Sequence, residues 1–158
     1  MRKGFNIKVP CDKTSPDLGI AKSQKRHPEI NFKFLDKCNV GCFYYLSEYH
    51  RKHKEEKVFK QLQHFLAESE RCQDATELIK QYTSKSGSKI DSAKNPYVNR
   101  LLKKFRDVYP GDAGLVENGV VHIHLRRGGK EKAVIFGVQY DNIFYVLAFD
   151  PDHSFSNS

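Results

Sequence analysis

Residues 120–153 read VVHIHLRRGGKEKAVIFGVQYDNIFYVLAFDPDH, and their reading decides the fold. Gly128-Gly129 and Asp141-Asn142 each separate two strand-like runs. Both pairs suit two-residue hairpin turns, because Gly, Asn and Asp tolerate positive φ. Two tight turns predict a three-stranded antiparallel meander over 120–150. Its strands lie near 120–127, 130–140 and 143–150.

Tight turns set register. With Arg127 opposite Lys130, Ile123 faces Val134 and Val121 faces Phe136. With Tyr140 opposite Ile143, Phe136 faces Leu147 and Val134 faces Phe149. The two hairpins then agree on one apolar face holding Val121, Ile123, Leu125, Val134, Phe136, Leu147 and Phe149. Tyr140 and Tyr145 fall on that face as core residues. The other face carries His122, His124, Arg126 and Asp150 around the small residues Ala133 and Gly137. This register predicts a shallow trough with the histidines on one side and Asp150 on the other. Asp152 and His153 follow at its edge.

Composition narrows the class. The chain has 158 residues, enough for one domain with its own core. Charged residues make up 29%, with a net charge of +8, which favours a polyanionic partner. No run approaches the ~18 apolar residues of a membrane span. The start, MRKGFNIKVPCDK, has no apolar core of a secretory signal, so cytoplasmic residence and no membrane partner are expected. Cys11, Cys38, Cys42 and Cys72 then read as free thiols. Cys38 and Cys42 lack the spacing of a zinc site.

Upstream, residues 1–29 read as an extended arm, with an edge strand at FNIKV. Residues 30–158 read as a single α+β domain. INFKFLD alternates as a strand does and is a candidate to join the sheet. A helical region follows from about residue 41 to 70, where Val58, Phe59, Leu62, Phe65 and Leu66 recur at helical spacing. The charge run EYHRKHKEEK within it reads as a solvated face, His50 and His53 included. Asp74 with Glu77 matches a capping box. TSKSGSKIDSAK reads as a loop. NPYVNRLLKKFRDVYP reads as a helix capped by Asn95 with Pro96 at its first position. Val98, Leu101, Leu102 and Phe105 form its apolar face. Arg100, Lys103, Lys104 and Arg106 lie off that face, where they can track a phosphate backbone.

Three chemistries fit the residues. RNA cleavage without a metal needs a base, a cation for the phosphate and an acid for the leaving oxygen. His122, His124, Arg126, Asp150 and His153 supply those types, and no cofactor or metal is called for. Arg127, Lys130, Lys132, Lys103, Lys104 and Arg106 would bind the nucleic acid. A non-enzymatic interaction module of a mobile element needs only the same basic surface, toward nucleic acid or an acidic protein. A metal-dependent hydrolase would use the His-x-His pair with Asp150, Asp152 and His153, but it is short of carboxylates for two metals.

A helical part followed by a basic antiparallel meander with polar residues near its end resembles the RelE/ParE toxin superfamily, over residues 96–158. That resemblance implies a ribosome-dependent mRNA endonuclease of a toxin–antitoxin or defence module. RNA or the ribosome and a neutralising antitoxin protein would then be its partners. The chain is longer than is usual there and has no terminal His-Tyr pair. Separately, DNIFYVLAFDPDH is similar to the ending of a group of small bacterial and mobile-element proteins, of pattern DN-x-F-Y-x-x-x-x-D-P-x-H. That similarity implies no activity. It marks Asp150, Pro151 and His153 as landmarks, and it departs at Ala148, where an aromatic is usual. The expectation is thus an α+β protein, its helical N-terminal and middle region packed on the C-terminal meander, and an exposed sheet face for RNA.

Overall fold

The Asp141-Asn142 turn forms as its residues require: Asp141 sits at φ 52° and Tyr140 pairs with Ile143. The structure, a computed structural model, describes residues 27–35, 41–83, 89–90, 95–117, 119–125 and 133–152. On either side of this turn, β4 (Val134–Tyr140) and β5 (Ile143–Asp150) run antiparallel, and β3 (Val120–His124) pairs with β4. β1 (Glu29–Asn31) lies on β5 and runs parallel to it. It comes from the predicted INFKFLD strand, displaced toward the N-terminus. β2 (Lys89–Ile90) pairs with β3, inside the stretch that reads as a loop. The order across the sheet is β1-β5-β4-β3-β2.

The helices are α1 (Phe43–Lys52), α2 (Val58–Ser69), α3 (Ala75–Thr83) and α4 (Pro96–Val108). Short 3-10 turns occupy Lys54–Glu56 and Pro110–Val116. The chain is therefore α+β, with helices in its N-terminal and middle parts and the meander at its C-terminal end. The helical region expected over 41–70 forms as two helices. His53 ends α1, and Lys57 takes the left-handed conformation at φ 50°, ψ 37° before α2 begins. Capping follows the sequence more closely. Asn95 Oδ1 accepts from the Tyr97 and Val98 N–H groups at 2.9 and 3.1 Å, with Pro96 in the first turn. Asp74 accepts from Glu77 N at 2.7 Å, while the Glu77 carboxylate accepts from Gln73 N, one residue before the position a capping box uses.

The predicted register needs two corrections. β3 and β4 pair with Ile123 opposite Ile135 and His124 opposite Val134, one residue away from what a two-residue Gly128-Gly129 turn imposes. β4 and β5 keep the predicted register only from Gly137 to Tyr140. A bulge follows, so Phe136 faces Ala148 and Val134 faces Asp150. Gly137 accommodates this irregular stretch. A Cβ there would overlap the Phe144 ring and the Tyr145 carbonyl.

The consequence is a sheet covered on both faces. One side holds Val121, Ile123, Leu125, Ala133, Ile135, Phe144, Val146 and Phe149, packed on Leu46, Val58, Leu62, Phe65, Leu78 and Tyr82 of α1–α3. The other holds Val120, Val134, Phe136, Val138, Leu147 and Ala148, packed on Val98, Leu101, Leu102 and Phe105 of α4 and on Val116. All seven residues predicted for one apolar face are buried, but they divide between the two. Each fully buried large side chain contributes roughly 1.5–3 kcal/mol, so both layers matter to stability. Tyr145 is half-buried and Tyr140 exposed at the turn, so Tyr140 is not a core residue.

Candidate functional site

His122 and His124 alternate with buried neighbours on β3, so both rings project on the α4 side. Each is half-buried. Their ring centroids are 5.2 Å apart at an interplanar angle of 77°, an edge-to-face pair. His122 also lies against Phe136, at 6.3 Å. Tyr97, in the first turn of α4, packs on the same Phe136 ring at 5.6 Å. The imidazole pair thus sits beside the N-terminal end of α4.

Asp150 shares a row with His124, as expected, because the two register shifts offset each other. Two strand spacings separate them, about 9–10 Å at the backbone. The space between is not a trough. Val134, 1% exposed, occupies it, and Asp150 itself is 0% exposed. Ala133 belongs to the opposite face with Leu125 and Ile135, and Gly137 makes room there for Phe144. Among the described residues, the exposed sheet face of the sequence reading is therefore not found. Both histidines keep part of their surface open to solvent. Arg126, Arg127, Lys130, Lys132 and His153 lie outside the described residues.

α4 divides as its periodicity requires. Tyr97, Val98, Leu101, Leu102 and Phe105 are buried, while Arg100, Lys103 and Arg106 are exposed and Lys104 is half-buried. The outward strip is cationic, and it lies on the same layer as the imidazole pair.

A second group was not foreseen. Tyr45, Tyr49 and His53 recur every fourth residue and so line one side of α1. The Tyr49 hydroxyl donates to Glu56 at 2.6 Å, its ring stacks on His53 at 4.5 Å, and His53 Nδ1 lies 3.9 Å from the Glu56 carboxylate. Burial raises the Tyr45 phenol pKa, and the charges of Asp152 and Asp150 push it further. Burial also raises that of Tyr49, helped by the hydrogen bond to Glu56 and by its charge. Both phenols therefore stay protonated at neutral pH. Asp150, from the landmark, and its near neighbour Asp152 thus stand near Tyr45. The signal was the four-residue spacing of Tyr45, Tyr49 and His53, the last two inside EYHRKHKEEK, where the surrounding charges obscure it.

Among the described residues, no group of three His, Cys, Asp or Glu is placed to hold a metal ion, and no helix is long and apolar enough to cross a membrane. The fold and site define an α+β protein with a doubly covered sheet and a half-buried imidazole pair beside the N-terminal end of a basic helix. Comparison with protein-family models, with curated proteins and with solved structures returns no match.

Proposed function

We propose that this protein binds RNA, with the outward face of α4 as the principal contact. The observation that carries the reading is the division of α4. Its apolar stripe is consumed by the sheet, and Arg100, Lys103 and Arg106 are left exposed in a chain of net charge +8. Such a strip neutralises phosphates without reading sequence.

Cleavage of the bound RNA is a second reading, favoured by the pairing of His122 with His124 close to that helix. Imidazoles titrate near neutrality, so one can take the 2′-hydroxyl proton while the other protonates the leaving oxygen. A toxin role with a neutralising partner protein belongs to this second reading.

The test is RNA affinity as a function of salt for the wild type and for Lys103→Ala/Arg106→Ala. Each lost phosphate contact should make the log–log slope shallower by roughly 0.7–1. A slope near zero in the wild type, or one unchanged in the variant, overturns RNA binding through α4. For the second reading, His124→Gln should abolish cleavage and leave affinity unchanged; wild-type protein that leaves RNA intact refutes it.

A further inference from the structure

Among the described residues, the most exposed large aromatic lies beside the β1 edge of the sheet. Tyr44 is 75% exposed on the first turn of α1, beside Phe43 at 39%. Phe43 is held from beneath by Phe32, at 5.3 Å, and by Phe149, at 5.2 Å. This edge connects with α4 through packed rings. Phe105 and Tyr109, at the end of α4, touch Phe34 at 4.7 and 4.8 Å. The Lys33 ammonium lies 4.4 Å from the Phe34 ring centroid, and its neighbour Phe32 meets Phe43. Phe34 and Phe105 are buried, but Tyr109, Lys33 and Phe32 reach the surface, so the C-terminal end of α4 and the aromatic edge adjoin around the β1 side of the sheet.

The two regions differ in charge. Among the described residues at the aromatic edge, two cations are paired: Lys33 lies 3.7 Å from Asp112, and Arg51 lies 2.8 Å from Glu48. Those two cations are partly neutralised toward a phosphate. What this edge offers is ring faces on a braced base. A base can stack there only if its own face is uncovered, which a duplex does not allow.

We infer that the RNA is single-stranded and that Tyr44, supported by Phe43, stacks a base while α4 holds the backbone. This rests on the RNA-binding reading and adds the strandedness and the stacking platform. It has a distinctive signature. Loss of stacking lowers affinity by the same factor at every salt concentration, whereas loss of α4 charge changes the salt slope.

The experiment uses a short fluorescein-labelled single-stranded RNA and the same RNA annealed to its complement, with binding followed by anisotropy across a salt series. The wild type should prefer the single strand. Tyr44→Ala should weaken single-strand binding by about tenfold with the salt slope unchanged, and Tyr44→Phe should keep wild-type affinity. Because Tyr44 is mostly exposed, neither variant disturbs the core. Equal affinity for duplex and single strand, or unchanged affinity in Tyr44→Ala, overturns the inference. If that happens while Lys103→Ala/Arg106→Ala still alters the slope, RNA binding by α4 stands and only the stacking platform falls. If the slope is also unaffected, both fall.

Discussion

Gly137 shows how one residue can be read correctly as special and wrongly as to purpose. Its missing side chain suggests space for a ligand. The space is instead filled by the Phe144 ring and the Tyr145 carbonyl. Gly137→Ala should therefore destabilise the fold by about 1–3 kcal/mol, the usual cost of overpacking a closed site, as measured by denaturant unfolding; unchanged stability would mean that the Phe144 ring moves aside without cost. Tyr49 makes a prediction about pH. Its folded pKa is raised, so the unfolded phenol ionises first, near 10. The stability it contributes is complete below that pH and is lost as pH rises beyond it. Tyr49→Phe should cost about 1 kcal/mol at neutral pH by removing the bond to Glu56, and should flatten the alkaline loss of stability. An alkaline limb identical in both proteins would contradict the assignment.

At the scale of elements, what was legible depended on whether a signal was local. Asn95-Pro96 and Asp74 announce helix starts through groups within a few residues of them, and those caps form. Asp141-Asn142 announces a turn, and the adjoining register is as read. The β3–β4 register was not legible because alternation carries little information when both faces of a strand are buried. VIFGV, apolar almost throughout, is the run of a strand covered on both sides. That signal outweighs the polar look of His122 and His124. The parallel placement of β1 depends on contacts far along the chain that no local pattern records. Asn142 is an example: its side chain accepts from the Ala75 N–H at the start of α3, at 2.8 Å, and donates to the His27 carbonyl at 3.0 Å. A turn residue therefore ties β1, α3 and the meander together. Asn142→Ala should lower stability by about 1–2 kcal/mol, and hydrogen exchange should increase most at the start of α3. Faster exchange spread evenly over the sheet would argue against a local tie.

For the whole molecule, the helices on both faces change what kind of site is available. The open sheet face expected from the sequence gives way to a closed core, which leaves the proposed contacts at its margins. These are the half-buried imidazoles, the outward strip of α4 and the aromatic edge of β1 and α1. Of the candidate site, the residue types and the shared row of His124 and Asp150 were legible. The coverage by α4 was not, because helix placement depends on both faces of the sheet together. The most direct measurement is photo-crosslinking of bound single-stranded RNA to the full chain, followed by identification of the modified peptides. The account predicts crosslinks in the segment spanning α4 and at Tyr44 in α1. Crosslinks confined to the outer surfaces of α2 and α3, with none on α4, would contradict it.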